Sequence, residues 1–308
     1  METISVLIPT YNVADWILES IESILKQSYE NLELIIVDDY STDGTYELLL
    51  RLSQLDSRIK LYRNSTNKKI VYTLNFALTK AKGEYIARHD GDDVALYDRL
   101  ECQINYLKAH NLDLVGTQMI PINEKGEIIG NQSNLPNGIN NIIKTARYSS
   151  PITHIWVAKR EVYERLNGYR EVPYAEDYDF ILRAIDEGFS CDNTPNALMK
   201  IRHRAGNTSD VASLAQRKGA LYALKLHKQR IASGSDKFSM EDADRLLKSN
   251  KVLTYFHHVS TNYLKRAFNS NNVLLRVGFI LTCCLLSFYN AQYLYSRFIT
   301  KRILKWQK

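Results

Sequence analysis

Cysteine is scarce in this 308-residue chain, with four in all: Cys102, Cys191, Cys283 and Cys284. They are too few and too irregularly placed for a disulfide framework. No CxxC pair is backed by a second pair or by histidines, so structural zinc is not expected either. A secretory leader is not expected either: Met1-Glu2-Thr3 leads into an apolar strand with no basic segment or cleavage site. A cytoplasmic setting is the expectation, and the sequons at Asn64, Asn131 and Asn207 read as chance. Long hydrophobic runs are missing as well. The apolar run Val277 to Tyr289 has thirteen residues, which favours an interfacial or buried helix over a membrane span. Acidic residues thin out sharply: residues 211–308 hold 4 Asp+Glu against 17 Lys+Arg, whereas residues 1–210 hold 30 against 23. The first part suits cations, and the second suits a polyanion or an anionic membrane surface. Apolar residues at 45% and charged residues at 24% exclude a disordered chain.

What is present is an alternation. Ile4 to Pro9, Leu32 to Val37, Ile59 to Tyr62 and Glu84 to Ala87 read as buried strands. Trp16 to Leu25, Thr45 to Leu55 and Val71 to Lys80 have helical spacing. Strand and helix in turn, with short connections, predict an α/β fold: a mainly parallel sheet with helices on both faces. Beyond it, Tyr97 to His110 reads as helix, Leu112 to Ile122 as strand, and 123–141 as a polar hairpin or loop. A strand is expected near Ile152–Ala158, with helices near Arg160–Leu166 and Asp177–Glu187. Strand signals vanish past Asp210. The expected domains are therefore 1–210 and a basic helical region over 211–308.

Ligands of such sheets bind beyond the carboxyl ends of the strands. Those ends carry Thr10-Tyr11-Asn12, Asp38-Asp39 and Asp90-Gly91-Asp92-Asp93. Three carboxylates in four residues repel one another unless a cation or several donors neutralise them. A hard divalent ion, Mg²⁺ or Mn²⁺, fits, bound by carboxylates together with substrate phosphates. Gly91 permits a sharp turn there. Asp39 can accept from a ribose or a base, whereas Asp43 reads as a helix cap. Glu176-Asp177-Tyr178-Asp179 opens a helix, which the macrodipole alone would favour. A carboxylate there can also serve as a general base, and Asp177 is the candidate. Arg202-His203-Arg204 could put donors on a diphosphate or be a solvated turn.

Together these segments resemble family 2 glycosyltransferases of the GT-A fold, of the bacterial surface-polysaccharide type. The resemblance rests on Ser5 to Asn12, Ile36 to Thr45, Leu74 to Leu78 and Ala81 to Asp93. It extends through Arg99-Leu100-Glu101 with Gln103, Leu114 to Thr117, Gly168-Tyr169 and Ala175 to Phe180. It implies a GT-A type, Rossmann-like catalytic domain over 1–210 that takes a nucleoside-diphosphate sugar, with nucleotide-sugar binding in 1–95, the acceptor and catalytic part in 96–210, and UDP the expected carrier. Pro9, Thr10, Tyr11, Asp39, Arg88, Asp90, Gly91, Asp92 and Arg202 would hold the donor. Asp90, Asp92 and His203 would hold Mn²⁺ or Mg²⁺. Asp93, His154 and Glu176 would face sugar or acceptor, and Asp177 would be the base of an inverting reaction. The sequence departs from the family at Tyr40, usually a small residue, at Lys68-Lys69-Ile70-Val71, which replaces a glycine-containing turn, and at Tyr97, which replaces a proline. No Gln-x-x-Arg-Trp motif of processive synthases is present, so single-sugar transfer is expected.

Two rivals share part of this pattern. A sugar nucleotidyltransferase would carry a glycine-rich basic loop after the first strand, and Pro9 to Asp15 is unlike one. An inactive nucleotide-sugar-binding module would not need the intact acidic motif and Asp177. In the basic region, Arg297, Lys301, Lys305 and Lys308 share one helical face, and Tyr295, Ile299, Ile303 and Trp306 another. That pattern suits a helix on an anionic leaflet, facing a glycan or polyprenyl-linked acceptor at the inner membrane face. Packing on the catalytic domain or in a homodimer is the alternative.

Overall fold

The computed structural model describes residues 2–204, 213–248 and 250–305. They divide into two compact units. The first comprises residues up to 143, 151–170 and 180–204, and the second comprises 144–150, 171–179 and the described residues beyond 212. The expected boundary near 210 lies outside the described residues.

The first unit is built on one eight-stranded sheet. Its chain order is β1 (Ile4–Thr10), α1 (Ile17–Leu25), β2 (Leu32–Asp38), α2 (Thr45–Leu55), β3 (Ile59–Arg63), α3 (Lys69–Lys80) and β4 (Tyr85–Arg88). Then follow β5 (Val94–Ala95), α4 (Arg99–Ala109), β6 (Leu114–Ile122), α5 (Ile139–Ala146), β7 (Val157–Lys159), α6 (Arg160–Leu166), α7 (Glu176–Asp186) and β8 (Cys191–Arg202), with 144–146 of α5 and 176–179 of α7 counted in the second unit. The strand order is β3-β2-β1-β4-β7-β6-β8-β5. Strands β3, β2, β1 and β4 are parallel, and β7 runs antiparallel to both β4 and β6.

Period-two alternation splits the core into two layers. Ile4, Val6, Ile8, Leu34 and Ile36 pack with Ile17, Ile21 and Ile24 of α1, Leu49 of α2 and Leu100, Ile104 and Leu107 of α4. Leu7, Ile35, Val37 and Ile86 face the other way, against Val71, Leu74 and Ala77 of α3 with Trp156 and Phe180. Because α1 and α2 cover one face and α3 crosses the other, the chain reverses its winding between β1 and β4. A doubly wound sheet opens its binding crevice at that point. Parallel register keeps Thr10 level with Asp38, so the polar ends of neighbouring strands are presented side by side.

The second unit is helical: α8 (Ser213–Ser233), α9 (Met240–Leu247), α10 (Lys251–Asn269), α11 (Val273–Leu286) and α12 (Phe288–Lys305). Ser239, Asn250 and Asn272 cap α9, α10 and α11 through their side-chain oxygens. Gly219 lets α8 approach residues 171–179: a Cβ there would lie 1.9 Å from the Pro173 carbonyl oxygen. A buried polar knot joins the helices. Ser260 donates to the Cys283 carbonyl at 2.8 Å, and Asn290 Nδ2 donates to Ser260 Oγ at 2.8 Å. The expected apolar run from Val277 to Tyr289 is broken at Ser287, whose extended backbone ends α11.

Candidate functional site

The site grows from the carboxyl ends of β1, β2 and β4. After β4, the chain runs through His89, Asp90, Gly91, Asp92 and Asp93 before β5. Gly91 is required by close approach: a Cβ would sit 2.9 Å from Thr10 Cγ2 and 3.2 Å from Ile17 Cδ1. The loop therefore lies flat on the end of β1 and the start of α1, and its carboxylates are held at the crevice.

The donor oxygens and nitrogen of Asp90, Asp93 and His154 all lie within 4.8 Å of one another, and they form the one such group that could hold a metal among the described residues. His154 Nε2 is 3.3 Å from Asp90 Oδ2 and 3.9 Å from Asp93 Oδ2. Arg88 Nε lies 3.3 Å from Asp90 Oδ1. Burial would push Asp90 up, but Arg88 and His154 hold it below its ordinary value. Burial, reinforced by the Asp92 and Asp90 charges, lifts Asp93 to about 6. His154 moves against its own burial, raised by Asp90 and Asp93 to about 9. Two hard oxygen ligands and an imidazole at this spacing fit Mn²⁺, and Mg²⁺ less well because of the nitrogen.

Asp92 and His203 are not brought into that group. Asp92 Oδ2 accepts from Arg204 Nε at 2.7 Å, and Arg204 lies over the Trp16 ring, 4.8 Å from its centroid. His203 is exposed, and its backbone N–H donates to the Ile122 carbonyl at 2.8 Å. Arg202 is buried with its guanidinium turned onto protein: Nε to the Asp92 carbonyl, Nη1 to the Asn123 and Glu124 carbonyls, and Nη2 to Glu19 at 2.6 Å. Its backbone N–H donates to Asp93 Oδ1 at 2.9 Å. Arg202 thus clamps the acidic loop from behind.

Behind the metal-capable group lies a buried chain that the sequence reading did not assign. Arg99 Nη2 donates to the Arg88 carbonyl at 2.7 Å, Nε to Gln103 Oε1 at 3.0 Å and Nη1 to His89 Nδ1 at 3.2 Å. A guanidinium can only donate, so His89 Nδ1 accepts and its proton sits on Nε2. Nε2–H then donates to Ser20 Oγ at 2.9 Å, and Ser20 donates to the Asp90 carbonyl at 3.2 Å. Burial, then Arg99, keeps His89 neutral, with its pKa lowered to about 3. Ser20 is the one polar residue among the buried positions of α1, Ile17, Ser20, Ile21 and Ile24.

At the end of β2, Asp39 is also spoken for. Oδ1 accepts from Asn64 Nδ2 at 2.8 Å and from Lys68 N at 2.7 Å, and Oδ2 accepts from Lys69 N at 2.8 Å. A carboxylate offers about four lone-pair sites, so Oδ2 keeps one for a ligand. Lys69 has φ 70° and Tyr40 φ 66°. Both departures from the family pattern therefore stand where the backbone is left-handed and a glycine would be unstrained. Thr10 Oγ1 and Asp38 Oδ1 are buried without a hydrogen-bond partner. Pro9 is buried within β1, and Tyr11 is 46% exposed at its end. Such orphaned atoms at a strand end are polar capacity for a bound group.

Glu176 and Asp177 fall in residues 171–179 of the second unit. They open α7, where Asp177 is half-buried and its Oδ1 accepts from the Tyr178 N–H at 2.7 Å. Tyr178 is fixed by donating its hydroxyl to the Ala146 carbonyl.

Comparison with known proteins agrees with this architecture. The chain is 40% identical over 205 residues to EpsE of Bacillus subtilis, covering 65% of this chain and 72% of that one. It is 34% identical to the O-antigen biosynthesis glycosyltransferase WbnJ of Escherichia coli, over 73% of this chain and 89% of the relative. WfaP of Escherichia coli, a UDP-Glc:alpha-D-GlcNAc-diphosphoundecaprenol beta-1,3-glucosyltransferase, is 31% identical over 68% and 80%. Two solved structures share the fold. Staphylococcus aureus TarS 1-349 in complex with UDP-GlcNAc has TM-score 0.61 at 17% identity, covering 99% of this chain and 92% of its own. The mannosyltransferase PcManGT of Pyrobaculum calidifontis, in complex with GDP-Man and Mn²⁺, has TM-score 0.58 at 20% identity, covering 96% and 86%. Residues 5–166 match the sequence profile of glycosyl transferase family 2, and the chain belongs to that family.

Proposed function

We propose that this glycosyltransferase moves one sugar from a UDP-sugar to a hydroxyl of a lipid-linked glycan during surface-polysaccharide synthesis, with inversion at the anomeric carbon. The observation that carries the proposal is the convergence of Asp90, Asp93 and His154 at the β1–β4 crevice, braced from behind by Arg99 and Arg202. UDP is favoured because TarS is named with UDP-GlcNAc and WfaP with UDP-Glc. The acceptor class is suggested by the diphosphoundecaprenol in the name of WfaP.

Asp90, Asp93 and His154 would hold Mn²⁺. Asp92 would keep Arg204 in place and enter the ligand set only on leaving it. When bound, the ion neutralises charge that develops on the departing diphosphate. The chain's own residues do the rest. Thr10, Asp38 and the spare lone pair of Asp39 Oδ2 receive the nucleoside, with Pro9 and Tyr11 beside them, and Arg88 holds Asp90 ionised. Asp177 takes the proton from the acceptor hydroxyl, with Glu176 beside it on the acceptor side. The assignment of Asp177 rests on its place in the family's acidic motif at the start of α7.

Thermal shift with UDP-, GDP-, dTDP- and CMP-sugars, each with and without Mn²⁺, tests the donor. A ligand at 100 times its Kd adds about 2.7 kcal/mol. UDP-sugars should stabilise the protein only with metal, and Asp93→Asn should remove the increment. Asp177→Asn should keep donor binding and lose at least about 10² in turnover. Stabilisation by GDP-sugars instead would change the donor, and near-normal turnover of Asp177→Asn would move the base elsewhere.

A further inference from the structure

Helix α11 is apolar almost all round but covered on only one side. Its inner row meets α10: the Phe279 and Tyr263 rings are 6.0 Å apart, and Cys283 is fully buried against Ser260. Its outer row is Leu274, Val277, Leu281 and Leu285, spaced to fall within about one quarter of the helix circumference. Leu274 and Leu285 are 83% and 88% exposed, and Phe288, just past the helix end, is 68% exposed. An apolar stripe of this size left facing water marks an interaction surface.

The charge of the segment that carries this row favours one occupant. From Arg245 to the end the sequence carries eleven Lys and Arg and not one Asp or Glu. A second copy of the chain fits badly, because a two-fold contact would bring two such basic segments against each other. An anionic bilayer takes both features, the leucines at the acyl boundary and the cations among the headgroups. The helix has 14 residues, so it spans about 21 Å against a hydrocarbon core of about 30 Å. Among the described residues, no helix is long and apolar enough to cross a membrane.

We propose that α11 is an interfacial helix that seats the helical unit on an anionic lipid surface through Leu274, Leu281, Leu285 and Phe288. This moves the contact away from the face of α12 that the sequence suggested. Ile299 and Ile303 on that face are half-buried, and Trp306 and Lys308 lie outside the described residues. The proposal rests on the transferase reading only in that a lipid-linked acceptor would be met at the same surface.

The test is flotation of the full chain with phosphatidylglycerol-containing vesicles and with phosphatidylcholine vesicles alone. The chain should float with the anionic vesicles and far less with the neutral ones. Leu281→Glu with Leu285→Glu should lower the bound fraction about tenfold or more. Both positions are exposed, so Tm and UDP-sugar binding should stay unchanged. Lys301→Glu with Arg302→Glu should weaken the preference for anionic lipid. The proposal fails if the wild-type chain does not float, if the double leucine variant binds as well as wild type, or if light scattering shows a dimer that this variant dissociates. A chain that floats but binds no nucleotide sugar would overturn the transferase reading and leave the docking surface standing.

Discussion

Lys69 shows what a single position can carry. Its φ of 70° is a conformation that costs an L-residue about 1 kcal/mol, and the two hydrogen bonds from Lys68 N and Lys69 N to Asp39 hold it there. Asp39 is thereby both a candidate nucleoside contact and the anchor of a strained turn. Lys69→Gly should be more stable than Lys69→Ala by about 1 kcal/mol, because alanine keeps the strain while both lose the same side chain. Equal urea midpoints for the two variants would show that the turn is unstrained. At this scale the sequence was informative about residue type and poor about partners. Asp38-Asp39, Asp90 to Asp93 and His154 were all singled out. That His154 lies beside Asp90 and Asp93, while Asp92 turns to Arg204, depends on which strand of the sheet each loop leaves, and no spacing encodes that.

Helix α4 shows how an element behind the acidic loop fixes the site. Arg99 and Gln103 stand four residues apart on its buried face, and through them the helix holds the Arg88 carbonyl, His89 and the Val115 carbonyl. Burial is the main reason Arg99 is lowered to about 9, with Asp93 and Asp90 opposing. It remains charged near neutrality, and each of its hydrogen bonds is worth about 1.5–3 kcal/mol. Arg99→Met should cost about 3 kcal/mol or more in stability and weaken Mn²⁺-dependent donor binding. Arg99→Lys should recover little, because an ammonium cannot reach three acceptors in a plane. Calorimetric unfolding and Mn²⁺ titration of the two variants check this, and wild-type affinity in Arg99→Met would remove α4 from positioning the loop. Elements with a strong buried period, β1 to β4 and α1 to α3, were legible within two residues. The strand expected near Ile152–Ala158 is present as β7, though it begins only at Val157; the two-residue β5 and the Asn-rich start of α5 were not legible, since their stability comes from pairing and packing rather than local pattern.

For the whole chain, histidines set opposite pH limits on the two units. In the helical unit, His257 is buried between Ser287 and Ser213, with Nδ1 2.8 Å from Ser287 Oγ and Nε2 3.4 Å from Ser213 Oγ. Burial, with Arg217, His258 and Lys218 around it, lowers it to about 4. Below its ordinary value of 6.5 the unfolded chain gains a proton that the folded unit refuses, so stability falls from pH 6.5 towards 4, by up to about 3 kcal/mol. In the sheet unit His89 pulls the same way, but Asp93, raised to about 6, binds a proton on folding across much of that window and offsets it. His154 governs the other side. Raised to about 9 by its carboxylate neighbours, it favours the folded unit below pH 6.5, and that contribution is lost as pH climbs through 9. In EDTA, the acid limb of a pH–stability curve should therefore belong to the helical unit and the alkaline limb to the sheet unit. His257→Gln should flatten the first and His154→Gln the second. Mn²⁺ should remove the alkaline limb, because a bound ion takes the imidazole without its proton. An alkaline limb unchanged in His154→Gln would mean that the histidine is not charged by Asp90 and Asp93, and the metal-capable group would lose the electrostatics on which its assignment rests.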